Sequence, residues 1–135
     1  MLPERLSNDL CSLRPNEDRL AFSAIFTITK DGTIKKEWFG KTIIHSAKRF
    51  TYEDAQALLD APDGSTLSSA LDTVRDIARH LRKKRFEKGA IDFDSTEVRF
   101  ELDAEGKPIA IHTKPRLETN KLIEEWMLLA NKRVA

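Results

Sequence analysis

Two stretches of alternating apolar residues, each followed by a tight-turn sequence, constrain the fold of this chain more than any other feature. In the first stretch every second side chain is apolar, the period of a strand with one buried face; these residues are Leu20, Phe22, Ala24, Phe26 and Ile28. Asp31 and Gly32 follow, and Asp-Gly is a strong signal for a short hairpin turn. A return strand is therefore predicted from about Thr33 to His45, with an irregularity near Gly40.

The second stretch repeats this pattern nearer the C-terminus. Its apolar side chains again alternate, at Val98, Phe100 and Leu102. The segment from Asp103 to Gly106 is typical of a turn, and Ile109 and Ile111 mark the returning strand. The sequence thus predicts a second antiparallel hairpin.

Three helices are predicted around the second hairpin. The first begins after Thr51, whose hydroxyl can cap it, and ends before Pro62. The second begins after Ser65 and ends at Gly89, as a C-cap glycine would end it. Its apolar residues recur at helical intervals and form one stripe: Leu67, Ala70, Leu71, Val74, Ile77, Ala78 and Leu81. The third begins at about Leu117 and runs to the end of the chain.

This order of elements predicts an α+β fold in which antiparallel β-hairpins pack with three main helices. A length of 135 residues suits one domain. No strand–helix–strand unit carries a glycine-rich phosphate loop, so the sequence gives no support for a nucleotide-binding fold of that kind.

The charge balance and the cysteine content limit which binding partners and which cellular compartment the sequence favours. The chain has 23 basic and 22 acidic side chains and a net charge of +1, so nucleic-acid binding would require a local basic patch. Cys11 is the single cysteine and is expected to be a buried small hydrophobe; without an internal disulfide, a reducing cytoplasm is the simplest compartment. No apolar run approaches the length of a membrane span, and no membrane partner is expected.

A local basic patch does occur in the stretch "RDIARHLRKKRFEKG", near the end of the second helix. One interpretation is a ridge that contacts phosphates, because each cation near a phosphate releases a counterion. The other is a solvated helix face whose cations interact favourably with the C-terminal end of the helix dipole. The sequence alone favours the solvated face.

The stretch "IDFDSTE" brings three acids close together in sequence, at Asp92, Asp94 and Glu97. Close carboxylates can bind Mg²⁺, but they must converge in space, and turn chemistry explains them more simply. Phe93, between the acids, is either a plug of the core or a platform on which a base stacks, and the sequence favours the plug. The three histidines, His45, His80 and His112, show no metal-ligand spacing.

The last helix places two adjacent glutamates inside an otherwise apolar run, "KLIEEWMLLAN". Glu125 is expected to be solvated and to meet Lys121 one turn away. Glu124 has no cation partner on its own helix. It is either an exposed surface acid or a carboxylate directed into a pocket, where it could accept a hydrogen bond from a ligand hydroxyl.

Four segments of the sequence resemble the central part of the catalytic RNB domain of the ribonuclease II/ribonuclease R exoribonuclease family. They are "LPERLSNDLCSLRPNEDRLAF", "KRFTYEDAQ", "IDFDSTE" and "KLIEEWMLLAN". The resemblance is closest to the ribonuclease R branch, spans nearly the whole chain and is weakest between about Ala61 and Lys88.

The resemblance implies a processive enzyme that hydrolyses single-stranded RNA from its 3′ end to nucleoside 5′-monophosphates with Mg²⁺. It also implies three substrate-binding residues. The tyrosine of "FTYEDA", Tyr52, would lie beside the terminal nucleotide, and the aromatic residue of "IDF", Phe93, would pack on the terminal bases. Glu124 would approach the terminal sugar, where it could engage the 2′-hydroxyl that distinguishes RNA from DNA.

The chain also departs from the family pattern. The D-D-A type motif that supplies the family's metal-binding aspartates is absent from this sequence. The arginine-containing S-P-I-R-R-Y-like motif and the flanking cold-shock and S1-type domains are absent as well. Residues 1–135 are therefore expected to be a partial catalytic domain that has no catalytic or metal residue of its own and no bound Mg²⁺ when isolated. The isolated chain is expected to be inactive on RNA and to self-associate through exposed strand edges. The alternatives are a free-standing, non-catalytic RNA-binding module and an interaction domain without RNA contact.

Overall fold

In the computed structural model, which describes residues 2–91, 97–114 and 116–135, two antiparallel hairpins accompany three main helices. This arrangement confirms the predicted α+β class. The elements in chain order are a short π-helical lead-in at Arg5–Leu10, β1 at Asp18–Ile28, β2 at Ile34–His45, α1 at Tyr52–Asp60, α2 at Thr66–Glu87, β3 at Glu97–Leu102, β4 at Pro108–Lys114 and α3 at Glu118–Val134. No described helix is long and apolar enough to cross a membrane.

The lead-in and the first hairpin differ from expectation in two details. Cys11 ends the π-helix and is exposed, so the expectation of a buried cysteine is wrong; the lead-in itself buries none of its residues. The register of β1 and β2 shifts between Thr27 and Ile28, and Gly40 pairs regularly with Ser23, so the irregularity predicted near Gly40 is also wrong. Gly40 instead makes room for an indole, because a Cβ there would lie 2.6 Å from Trp38 Cη2.

The apolar face of the first hairpin is covered only near its turn. There Phe26 packs edge-to-face against Phe39, with ring centroids 5.9 Å apart. Farther from the turn, Leu20 is 84% exposed and its cross-strand partner Ile43 is 70% exposed. The alternating pattern marks one apolar face, and the described part of the chain covers that face only partly, near the turn.

The second hairpin, β3–β4, also presents an uncovered apolar face. Phe100 lies opposite Ile111 in the ladder, and both are more than half exposed. The same is true of Val98, Leu102 and Ile109. A hydrophobic face of this extent on a small chain is typical of a surface that packs against other protein.

The helices begin where the sequence predicts. Thr51 Oγ1 accepts a hydrogen bond from the Asp54 backbone N–H at 3.0 Å, and Ser65 Oγ accepts one from the Ser68 N–H at 3.1 Å. Each hydroxyl satisfies one of the backbone donors that a helix start leaves unpaired. Gly89 follows α2 with φ +90°, a backbone conformation that favours glycine.

The buried core lies where the three helices meet. Its buried apolar residues are Ala55, Leu59, Ile77, Ala78 and Leu122. Trp126 Nε1 donates to the Val74 carbonyl oxygen at 3.2 Å, which joins α3 to α2. Thr119 Oγ1 donates to the Tyr52 carbonyl oxygen at 3.0 Å, which joins α3 to the start of α1. These contacts fix the helix that carries both glutamates.

The turn of the first hairpin contains an acid with a lowered pKa. Side-chain hydrogen bonds with Thr29 and Thr33 lower the pKa of Asp31 from 3.8 to about 2, and Thr33 Oγ1 donates to Asp31 Oδ2 at 2.5 Å. Because the folded-state pKa is depressed, the stabilisation is present above the unfolded pKa of about 4 and is lost as the pH falls toward 2. Replacing Thr33 with valine is expected to raise the Asp31 pKa toward 3.8, measured by NMR titration of the carboxyl carbon.

A matched control for this titration is Thr113→Val, which removes a threonine hydroxyl from the other hairpin. Thr113 is not among the groups that lower the pKa of Asp31, so this variant is expected to leave that pKa unchanged. An unchanged Asp31 pKa in Thr33→Val would show that the Thr33 hydroxyl does not stabilise the carboxylate.

Candidate functional site

The structure describes two of the three predicted substrate-binding residues. Tyr52 is the first residue of α1, and its side chain is 40% exposed, so its ring is available to a ligand. Phe93 lies outside the described residues, as do Asp92 and Asp94 of the same acidic stretch. Within the described residues, the side chains of Tyr52 and Glu124 make no hydrogen bond with each other. That these two residues belong to one site therefore remains a prediction.

Glu124 lies on α3 with both of its carboxylate oxygens close to guanidinium groups. Arg116 Nη2 donates to Glu124 Oε2 at 2.5 Å, and Arg85 Nη2 lies 3.7 Å from Glu124 Oε1. Neither arginine belongs to α3, which agrees with the absence of a cation partner on its own helix. The side chain of Glu124 is 36% exposed, so it is oriented by cations and still accessible to a hydroxyl donor.

Glu125 is buried, with only 3% of its side chain exposed, so the expectation of a solvated acid that meets Lys121 is wrong. Arg85 Nε donates to both carboxylate oxygens at 3.2 Å, and Arg85 Nη2 donates to Oε1 at 2.5 Å. Arg82 Nη1 adds a longer contact of 3.5 Å to Oε1. A carboxylate tolerates such burial only when cations and hydrogen bonds replace its water.

The signal that could have indicated this burial lies on α2. Arg82 and Arg85 are three residues apart, so they lie on one side of the helix. That spacing was visible in the sequence, but nothing in the sequence paired it with a residue of α3. The packing of α2 against α3 supplies the missing information.

Several cations of the basic stretch form ion pairs within the chain. Arg79 Nε donates to Glu118 Oε1 at 2.5 Å, and Arg75 Nη1 lies 3.0 Å from Asp72 Oδ1. Lys84 Nζ donates to the Asp31 carbonyl oxygen at 2.6 Å. The Arg79 contact joins α2 to α3, the Lys84 contact joins α2 to the first hairpin, and the Arg75 pair lies within α2. A structural role therefore accounts for much of the stretch without phosphate contacts.

A groove of about 490 Å³ opens beside the buried ion pair, between the end of α2 and the second half of α3. Arg85 and Glu125 contribute to its wall, together with the apolar side chains of Leu81, Leu128 and Leu129. Lys88 and Lys132 lie at the same groove, and within the described residues neither has an ion-pair partner. The Arg85–Glu125 pair therefore forms part of the wall of this groove.

The described residues do not provide a metal site. In residues 2–91, 97–114 and 116–135, no group of three or more His, Cys, Asp or Glu side chains is placed to bind a metal ion. His45 is exposed and contacts Asp18, while His112 is exposed and contacts Glu101. Because these residues do not fit a metal centre, no chemical step is assigned to a metal here.

Comparison with protein families gives one match, the RNB domain, over residues 1–135. Curated relatives include Exosome complex exonuclease RRP44 of Mus musculus, 44% identical over 137 residues, with 100% of this chain and 14% of the relative covered. DIS3-like exonuclease 2 of Schizosaccharomyces pombe is 41% identical over 150 residues, covering 100% of this chain and 16% of the relative. Ribonuclease R of Aquifex aeolicus is 39% identical over 140 residues, covering 100% and 20%. This chain thus spans a fifth or less of these relatives.

Solved structures give the same assignment. RNase R of Mycoplasma genitalium, in complex with ribose methylated single-stranded RNA, superposes with a TM-score of 0.88 and 28% identity, covering 99% of this chain and 21% of that one. A yeast protein, Ssd1, described as a pseudonuclease, superposes with a TM-score of 0.70 at 21% identity and shows the shared fold alone.

Proposed function

The chain belongs to the RNB domain family, and from that premise we propose that it is the part of a 3′–5′ exoribonuclease that contacts the last nucleotide of single-stranded RNA. The whole enzyme would hydrolyse RNA processively to nucleoside 5′-monophosphates in the cytoplasm, with Mg²⁺ as its metal. Relatives named as exonucleases or ribonucleases, matched over the full length of this chain, support the activity. RNase R structures with single-stranded and with double-stranded RNA support RNA as the substrate class.

This proposal rests on the accessibility and the ion-pair contacts of the Glu124 carboxylate. Its carboxylate is accessible, yet guanidinium groups from two other parts of the chain contact its two oxygens. An ionised carboxylate can only accept hydrogen bonds, and a terminal ribose offers hydroxyl donors. A 2′-hydroxyl is the group that separates RNA from DNA at such a position. Glu124 would therefore contact the terminal sugar, while Tyr52 and Phe93 would contact its base by stacking, which tolerates any base.

Hydrolysis itself would depend on residues outside this chain. The chemistry that a divalent metal would supply, when bound elsewhere in the enzyme, is activation of the attacking water and stabilisation of charge on the phosphate. Carboxylates elsewhere in a longer protein would bind that metal, as the resemblance to the family implies. The role of the present segment would be to position the RNA end.

An exoribonuclease assay tests the proposal. The full-length protein, incubated with 5′-labelled single-stranded RNA and Mg²⁺, is expected to shorten the RNA from its 3′ end. The 135-residue chain is expected to leave the same RNA intact. RNA that stays intact with the full-length protein would contradict the proposal and would favour a non-catalytic RNA-binding module. Shortening by the isolated chain would contradict the assignment of the metal site to other residues.

The isolated chain is also proposed to self-associate. The exposed apolar faces of both hairpins, such as the pair Leu20 and Ile43, support this proposal. Sedimentation velocity is expected to show an average mass that rises with concentration. A monomer at every concentration would contradict it.

A further inference from the structure

We infer that Arg85 is a positioning residue that directs the Glu124 carboxylate toward the terminal ribose and so contributes to the preference for RNA over DNA ends. The inference rests on the proposed function and adds to it a residue outside the predicted substrate contacts. Arg85 is not expected to touch the substrate. Arg85 acts through Glu124, and the adjacent Glu125 holds the Arg85 guanidinium in place.

The guanidinium of Arg85 has a fixed position. Its Nε donates to both oxygens of the buried Glu125 carboxylate, and its Nη2 donates to one of them at 2.5 Å. The guanidinium carbon also lies 5.0 Å from the centre of the Phe86 ring, within cation–π distance. A planar group constrained by a buried acid and by an aromatic ring has little freedom to rotate.

The same guanidinium also reaches the adjacent acid, Glu124. Arg85 Nη2 lies 3.7 Å from Glu124 Oε1, while Arg116 Nη2 donates to Oε2 at 2.5 Å. One cation on each oxygen defines the plane of the carboxylate. The two arginines come from two separate segments that both precede Glu124, Arg85 from the last turn of α2 and Arg116 from just before α3. Glu124 is therefore oriented by arginines from outside α3.

The orientation of the Glu124 carboxylate affects a ribose end and a deoxyribose end differently. A carboxylate accepts a 2′-hydroxyl hydrogen bond well only when an oxygen lone pair points at that hydroxyl. A substrate that ends in a 2′-deoxynucleotide offers no hydroxyl, so the orientation of Glu124 has no effect on it. Loss of the guanidinium should consequently slow the cleavage of ribose ends selectively, whereas a general structural defect should slow both kinds of end.

The test uses the full-length protein and two RNA oligonucleotides that differ only in whether the 3′-terminal nucleotide carries a 2′-hydroxyl. The variant is Arg85→Lys, which keeps one positive charge but cannot bridge two carboxylates with a planar fork. We expect kcat/KM on the ribose end to fall about tenfold or more, and kcat/KM on the deoxyribose end to change by less than about twofold.

The matched control is Arg79→Lys, another arginine of α2 that pairs with a glutamate of α3, Glu118, but belongs to a different ion pair. It is expected to leave the ratio of the two kcat/KM values unchanged. Thermal melting of each variant, and its affinity for the deoxyribose-ended RNA measured without Mg²⁺, show whether the fold and the remaining contacts survive.

The outcomes separate the inference from the function on which it rests. If wild-type protein does not prefer the ribose end, the proposed contact of Glu124 is wrong. If wild-type protein prefers the ribose end and Arg85→Lys retains that preference, the positioning role is wrong, and an equal loss on both substrates overturns it as well. A selective loss on the ribose end, absent from Arg79→Lys, supports it.

Discussion

Replacing Glu125 with alanine is expected to lower the free energy of unfolding of the 135-residue chain by about 3 to 5 kcal/mol, the usual cost of breaking a buried ion pair. Only 3% of the Glu125 side chain is exposed, and Arg85 contacts both of its carboxylate oxygens. Without the carboxylate, the part-buried guanidinium groups of Arg82 and Arg85 lose the charge that compensates for their lost hydration. Urea unfolding followed by circular dichroism measures the change, with both proteins at one concentration low enough for the chain to be monomeric.

The adjacent acid provides the control for this experiment. Glu124→Ala removes the same chemical group one position earlier on α3, at a site that is 36% exposed. Partly exposed ion pairs contribute little, so its loss is expected to cost about 1 kcal/mol or less. Equal costs for the two alanine variants would show that the Glu125 pair contributes no more to stability than a surface pair.

Replacing Leu122 with alanine is expected to cost about 2 to 5 kcal/mol of unfolding free energy, the range for large-to-small changes in a packed core. Leu122 is one of the few buried apolar side chains of the described residues and lies on α3 where it packs against the other helices. The variant loses apolar burial and leaves a cavity that the neighbouring helices fill only in part. The same urea titration gives the value.

The control for the core variant is Ile123→Ala, because Ile123 follows directly on α3 and is 42% exposed. It removes a similar aliphatic side chain from a position with far less packing, and a cost of about 1 kcal/mol or less is expected. A cost at Leu122 no larger than at Ile123 would mean that the helices do not pack as described.

Much of the fold was predictable because its signals are local. The caps at Thr51 and Ser65 and the turn at Asp31 and Gly32 each involve residues within a few positions of one another. Backbone preferences and short-range hydrogen bonds act the same way wherever the chain is placed, so a sequence pattern suffices to locate them. The order and type of the elements followed from these signals.

The features that were missed depend on packing between distant segments. Glu125 and Arg85 are 40 positions apart, and no local pattern distinguishes a glutamate that will be buried against an arginine of another helix from one that will face water. The exposure of Leu20 has a related cause, because alternation marks an apolar face without saying which part of it is covered. The candidate site shares this limit, since the orientation of Glu124 depends on Arg85 and Arg116, which lie on other elements.

The most direct test of the central claim, that this segment contacts the last nucleotide of RNA, is site-specific photo-crosslinking to the full-length protein without Mg²⁺. The RNA carries one 4-thiouridine, placed either at the 3′ end or near the 5′ end. We expect the 3′-terminal probe to cross-link to peptides of this chain that contain Tyr52, Phe93 or Glu124, and the 5′ probe not to cross-link to them. Cross-links of the 3′-terminal probe that map entirely outside residues 1–135 would contradict it.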